Sequence, residues 1–367
     1  MAAVHLKSGQ ESEDCRTIDL QIGNIDLSQI KSEFYRVQKR EQMAVLKVDN
    51  LKVYYRKNGF LQSKKTPLKA VDGVSFELHE NEILGLVGES GCGKSTLGRA
   101  LVRLEEVESG SVMLDDVDVL KLKGKKLRKF RKNIQFIFQD PYSSLNPRMT
   151  VGEILDEVLA IHTELDKSWR ERKIAQLLEQ VGISATAMNR YIHQFSGGQR
   201  QRIGIARALA VQPKVIIADE PVSALDVSVQ SQIINLLSDI REKSRSSFIF
   251  IAHDLAVVEH ISDRIMVMYL GKIVESGPSH EVCANPQHPY TKALLSAVPK
   301  LELNTAPRIM LKGDVPSACS EIKGCAFYSR CPMKHPECLE HESFLMSANG
   351  SDEHYTSCLF PEEVKNL

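Results

Sequence analysis

The sequence predicts an α/β fold in which short apolar strands alternate with helices and end in polar residues. Three stretches predict it. Glu82–Val87 reads as a buried strand that runs into the glycine-rich loop Gly88–Ser95 and then into a helix, Thr96–Leu104. Val215–Ala218 is wholly apolar and ends in Asp219 and Glu220, and Phe248–Ala252 repeats the pattern before His253 and Asp254. Such runs suit strands buried on both faces of a parallel sheet, whose carboxyl ends open onto the ligand crevice.

Length and composition set the frame. At 367 residues two units are expected, because single cores seldom grow past roughly 250–300 residues. An apolar content of 43% supports a sizeable core, and 47 basic residues balance 47 acidic ones. No global field therefore draws the chain to nucleic acid or acidic lipid. No apolar run approaches the ~20 residues of a membrane span. The start lacks the apolar stretch of a secretion signal, so a cytoplasmic location with reduced thiols is expected.

Residues 1–42 are polar and mixed in charge, and they read as a disordered or loosely helical extension. Met43, which opens directly into a strand, is an alternative start. Val45–Leu78 alternates as antiparallel strands around a turn at Asn58-Gly59, with Tyr54 and Tyr55 on the hairpin. An aromatic face there suits stacking on an adenine base, or simply packing on the sheet.

Gly88–Ser95 fits the phosphate-loop pattern G-x-x-x-x-G-K-S/T in its proper strand–loop–helix setting. Gly88, Gly91 and Gly93 let the backbone approach phosphates, Lys94 supplies a point charge, and the Ser95 hydroxyl suits Mg²⁺. The chain is a P-loop nucleoside triphosphate binder.

Further on, Lys121–Lys132 holds eight basic residues and no acid, and reads as a solvated helix face rather than a nucleic-acid patch. Asn133–Phe138 is a strand that delivers Gln139 to the crevice. Residues 151–193 form a helical insertion, which closes on Gln194–Arg202. There Ser196, Gly197 and Gly198 open a helix, a second anion site by the same physics as the first. One nucleotide has no need of two such sites unless they come from different chains, which suggests a dimer sharing ATP. Asp219 is placed to hold Mg²⁺, Glu220 to polarise an attacking water, and His253 to contact the γ-phosphate.

Taken together these motifs resemble the ATP-binding subunit of ABC transporters. GESGCGKS resembles its Walker A motif, Gln139 its Q-loop, FSGGQ (195–199) its signature, VIIADE (215–220) its Walker B, SALD its D-loop and His253 its H-loop. The likeness covers about 45–275. It implies a P-loop fold of ABC type with an antiparallel β subdomain, a helical subdomain (about 151–200) and a small Cys-rich C-terminal extension. It implies an ATP site formed by Tyr55 (or Tyr54), Gly88, Glu89, Ser90, Gly91, Cys92, Gly93, Lys94, Ser95 and Thr96, with Mg²⁺ at Ser95, Gln139 and Asp219. Ser196, Gly197, Gly198 and Gln199 would clamp the partner's ATP, and Glu220 would be the general base, assisted by His253 and Gln139.

Two longer phrases, Phe138–Arg148 and Asn285–Leu295, are similar to the oligopeptide/dipeptide importer ATPases, specifically the F-type subunit. That implies ATP-driven uptake of di- or oligopeptides, or of a related solute such as glutathione, a nickel complex or an antimicrobial peptide. It also implies a heterodimer with a sister ATPase on two membrane permeases, at the cytoplasmic face of the bacterial inner membrane, fed by an extracytoplasmic binding protein. A soluble ABC-type ATPase acting on nucleic acid or ribosomes is the competing reading. The interval from Ser95 to Ser196 is only 101 positions and lacks sustained heptads, unlike the coiled-coil DNA-acting members.

Residues 276–367 read as a second, small unit holding Cys325, Cys331, Cys338 and Cys358, with five, six and nineteen residues between successive pairs. These gaps are wider than the usual paired zinc spacing and suit an iron–sulfur cluster better, though zinc stays open. Gly324–Pro332 resembles the C-terminal motif of the peptide-importer ATPases, which implies a [4Fe–4S] cluster on the four thiols. Cys319 is near enough in sequence to compete; Cys15, Cys92 and Cys283 read as incidental.

Overall fold

The computed structural model describes residues 43–56, 67–298, 308–319, 322–340, 344–348 and 350–367. The expected polar extension, the Asn58-Gly59 turn and Cys15 lie outside them. Residues 43–367 form one compact unit.

Two sheets stack in it. Strands β1 (Ala44–Tyr55), β2 (Leu68–His79), β4 (Ser109–Leu114) and β5 (Val117–Asp118) make an antiparallel sheet in the order β2-β1-β4-β5. The larger sheet is built on five parallel strands: β3 (Ile83–Val87), β6 (Ile134–Ile137), β7 (Val215–Asp219), β8 (Ser247–Ile251) and β9 (Arg264–Tyr269). Their order is β9-β3-β8-β7-β6, so β3 and its loop sit between strands that come much later in the chain.

Strand alternation decides what each face covers. Leu84 and Leu86 of β3, Ile217 of β7 and Ile249 and Ile251 of β8 join the layer shared with the antiparallel sheet. Helix α1 (Lys94–Leu101) enters that layer through Leu97, Ala100 and Leu101. Ile83, Ile216, Ala218, Phe248 and Phe250 face the other way, onto the helices. A run that is apolar at every position is what a strand covered on both sides requires.

The insertion is held by packing. Helices α3 (Val151–His162) and α4 (Lys167–Gln180) are each too short to be stable alone in water. They bury Ile154, Leu155 and Leu159 against Ile174, Leu177 and Leu178, and full burial of each such side chain is worth roughly 1.5–3 kcal/mol. Their starts are fixed locally: Thr150 and Glu153 form a reciprocal capping box, and Asp166 accepts from the Trp169 amide at 2.9 Å. Helix α5 (Gly197–Leu209) then carries the chain back to the sheet. Within the basic stretch, helix α2 (Gly124–Phe130) buries only Phe130, and its cationic side chains face water.

The tail does not stand apart as a second unit. Strand β10 (Lys272–Pro278) pairs antiparallel with β9, β12 (Tyr355–Thr356) pairs with β10, and β11 (Met346–Ser347) pairs with β12. The physical reason is Glu275. Fully buried on β10, its carboxylate accepts from the amides of Gln287 (2.6 Å) and His288 (3.0 Å) and lies 2.8 Å from His354 Nε2. That carboxylate ties helix α6 (Pro289–Ser296) and the C-terminal strands to the main sheet. Glu275→Ala is expected to lower stability by roughly 2–5 kcal/mol, because two buried N–H groups lose this acceptor. Denaturant unfolding with limited proteolysis checks this: the tail should be cut first, and an unchanged midpoint would refute the tether.

Candidate active site

The loop Gly88–Ser95 leaves the carboxyl end of β3 and wraps the start of α1, where Gly93 is the N-cap with φ of 109°. That backbone is left-handed, and a Cβ at Gly93 would collide with the carbonyl of Ala70. Glycine is required there on both counts. Lys94 is buried and folds back over the loop, donating to the carbonyls of Gly88 (2.7 Å) and Glu89 (3.0 Å).

Ser95 Oγ donates to Asp219 Oδ1 at 2.8 Å, joining the loop to the end of β7. Asp219 is 1% exposed, and its other oxygen, Oδ2, has no hydrogen-bond partner; Arg99 stands 4.0 Å away. Burial pushes the Asp219 carboxyl above its ordinary range, against the opposing pull of the Ser95 hydrogen bond and Arg99. An under-partnered buried carboxylate beside a serine hydroxyl is the donor set a hard divalent cation takes. The residues therefore fit Mg²⁺.

Glu220 follows with φ of 45°, a strained conformation for a non-glycine residue. Its Oε2 accepts from Gln139 Nε2 at 2.8 Å and lies 3.6 Å from His253 Nδ1. Three strand ends (β6, β7 and β8) thus bring Gln139, Glu220 and His253 together. They line one cavity of about 360 Å³ with Ser90, Gly91, Cys92, Gly93, Lys94, Ser95 and Thr96. Tyr55 also lines it, whereas the Tyr54 hydroxyl is bound to Asp72.

Gly88 and Glu89 lie beside the cavity rather than on its wall. Gly88 is packed against the Met268 carbonyl, and the Glu89 carboxylate is bound by Arg330. Sequence reasoning missed Leu68, Lys69, Ala70, Leu270, Gly271 and Ala318, which complete the lining. Ala318 is held there by the Lys69 amide, which donates to its carbonyl at 3.2 Å. No local pattern marks a tail residue for such a place.

Ser196, Gly197, Gly198 and Gln199 are not in this cavity. Ser196 caps α5 in a reciprocal box with Gln199, with Gly197 exposed beside it and Gly198 packed near Val229.

The four tail thiols converge. Cys325, Cys331, Cys338 and Cys358 line one small cavity of about 20 Å³ with His288, Phe327 and Leu359. Burial, reinforced by the neighbouring cysteines, pushes the Cys331 thiol up to about 11 and that of Cys358 to about 12. Burial also drives His288 down to about 3, so it is neutral, and its Nδ1 is taken up by the Tyr290 amide. Four thiols are a fitting donor set for a soft metal centre. Among the described residues, however, no three ligating side chains are spaced to hold an ion as they stand. Cys319, expected as a competing ligand, is exposed and away from this cavity. Cys283 is pushed up to about 12 by burial, and Cys92 is also raised.

Residues 71–223 match the family model described as ABC transporter, and residues 274–338 match that of the oligopeptide/dipeptide transporter C-terminal region. The chain is 48% identical over 322 residues to the oligopeptide transport ATP-binding protein AppF of Bacillus subtilis, covering 86% of this chain and 97% of that one. It is 50% identical over 328 residues to OppF of Salmonella typhimurium, covering 87% and 97%. Among solved structures, the dimeric ATP-binding cassette MJ0796 bound to ADP and Pi superposes with a TM-score of 0.57 at 27% identity, over 64% of this chain and 98% of that one. CbiO1 of Clostridium perfringens, part of an ABC transporter complex, gives 0.57 at 27% identity, over 66% and 91%.

Proposed function

The chain belongs to the ABC transporter family, among the oligopeptide and dipeptide transport ATP-binding proteins, and from that premise we propose that it is the ATP-hydrolysing motor of a bacterial di- or oligopeptide importer. One observation carries the hydrolytic part: Glu220, bound by Gln139 and faced by His253, stands beside the Ser95–Asp219 pair over the phosphate loop. In this reading the loop amides and Lys94 bind the β- and γ-phosphates, and Tyr55 stacks on the base. Ser95, Gln139 and Asp219 would hold Mg²⁺, which when bound would supply charge neutralisation at the phosphates. Glu220 accepts the proton of the attacking water while Gln139 and His253 orient the carboxylate and the γ-phosphate.

The exposed Ser196–Gln199 turn lies outside the chain's own nucleotide cavity, which supports a site completed across a dimer. The partner in this reading is a sister ATPase. The pair docks on two permeases at the cytoplasmic face of the inner membrane, and an extracytoplasmic binding protein delivers the peptide. Among the described residues no helix is long and apolar enough to cross a membrane. Peptide as cargo is supported by the relatives, whose names concern oligopeptide and dipeptide transport. Uptake of labelled di- and oligopeptides by cells with and without the subunit tests it; equal uptake of every peptide would reject a peptide cargo.

The thiol cavity is, in the same reading, a [4Fe–4S] centre on Cys325, Cys331, Cys338 and Cys358. The convergence of four cysteines supports it, and zinc is the alternative for the same donors. Cys331→Ser is expected to remove bound iron and acid-labile sulfide, read by elemental analysis and the visible spectrum. Stoichiometric zinc without iron in the wild type would overturn the cluster.

A further inference from the structure

Glu89 is held at all three of its polar groups. Its amide donates to the Tyr290 hydroxyl at 2.7 Å, and its carbonyl accepts from Lys94 Nζ at 3.0 Å. Its carboxylate receives the Arg330 guanidinium in a two-pronged pair, Nη1 to Oε2 at 2.7 Å and Nη2 to Oε1 at 3.0 Å. Two of these three holds come from the C-terminal region, 201 and 241 positions further along the chain.

The support behind Arg330 is rigid. Its side chain is only 8% exposed and lies over the Tyr269 ring. It ends the tight turn Tyr328–Arg330, between Cys325 and Cys331, and the amides of Arg330 and Cys331 both donate to the Phe327 carbonyl at 3.0 Å. Phe327 is buried, edge-on to Tyr269 and packed on Tyr290. The turn therefore cannot drift away from the loop without unpacking an aromatic cluster.

A carboxylate inside a phosphate-binding loop is unfavourable for a polyanion unless something neutralises it. From this arrangement we infer that Arg330 is a positioning residue for nucleotide binding: it cancels the Glu89 charge and fixes the front of the phosphate loop, with Tyr290 holding the adjacent amide. The bidentate geometry is specific to a planar guanidinium, so lysine does not replace it. The C-terminal region then acts on ATP affinity. The inference rests on the nucleotide reading of the cavity, which wild-type MgATP binding tests separately in the same titration.

The test is a double-mutant cycle on the full chain, purified with whatever its thiols hold. MgATP affinity is read by calorimetry, and hydrolysis is followed alongside. Arg330→Met should raise the Kd for MgATP about tenfold, since an unpaired carboxylate is then left beside the phosphate site and the loop loses its hold. Arg330→Lys should recover only part of that loss. In a Glu89→Gln background, Arg330→Met should change Kd by less than about twofold, because no charge remains to cancel. A residue with a merely structural role would lower the melting temperature equally in both backgrounds without this coupling. Equal loss of affinity in both backgrounds, or an unchanged Kd for both Arg330 variants, overturns the inference. Arg330→Lys keeps the test decisive if the Met variant does not fold.

Discussion

Replacing Glu220 with Gln should leave MgATP binding within a few-fold of wild type and lower steady-state hydrolysis by at least about a hundredfold, the usual worth of a positioned general base. The amide is isosteric, so Gln139 Nε2, now 2.8 Å from Oε2, keeps an oxygen to bond, and the left-handed backbone at 220 is untouched. What is lost is the one oxygen able to take a proton from water. The substitution should therefore trap the ATP-bound state, read by light scattering as a nucleotide-dependent dimer with the sister ATPase. Phosphate release measured alongside equilibrium binding decides the matter. Undiminished turnover would take Glu220 out of the chemistry and leave His253, 3.6 Å away, as the candidate.

Asp219→Asn carries the second large effect, and its two consequences have opposite signs. Burial raises the folded-state pKa of this carboxyl, so the folded protein holds the proton more tightly than the unfolded chain does. Its contribution to stability is therefore most favourable at low pH. It is lost as pH rises from the unfolded carboxylate range to the raised folded value, leaving a penalty at neutral pH. Asparagine carries no charge and still offers an oxygen to Ser95 Oγ. The nucleotide-free variant should melt a few degrees higher than wild type near pH 7, by about 2–4 °C per kcal/mol relieved. Its Mg²⁺-dependent hydrolysis should fall by roughly a hundredfold, as the carboxylate that fits the cation is gone. Calorimetric scans with and without MgATP separate the two: the ligand should stabilise the wild type more than the variant. A lower melting temperature without ligand would mean that Asp219 is net stabilising, and the burial argument would fail.

Such a residue is stable enough to tolerate and too useful to lose. Natural sites often keep groups that the fold alone would reject. Glu220, held at positive φ one position later, is a second case in the same turn.

Much of this was legible in the chain. Short-range pattern sets where strands and helices begin: Ile83–Val87 and Val215–Asp219 are buried at every position because every position is apolar. The phosphate loop is legible for the same reason, since its glycines and Lys94 act within eight residues of one another. Even Gln139, Glu220 and His253, far apart in sequence, could be grouped, because each follows an apolar strand and parallel strands end on one side.

Other features depended on which strands became neighbours. Spacing left Tyr54 and Tyr55 equivalent; the register of β1 against β2 turned Tyr54 toward Asp72 and left Tyr55 at the cavity. The tail read as a separate unit because its strands are only two residues long and carry little pattern; buried Glu275 drew them onto the main sheet. No sequence signal joins Glu89 to Arg330 or brings Ala318 to the cavity wall. The sequence by itself determined the phosphate loop and the polar strand ends, because those are local patterns of spacing and burial. The tertiary structure decided what holds the loop in place, because a salt bridge across 241 positions exists only once β3 lies beside β9 and the tail has folded back over both.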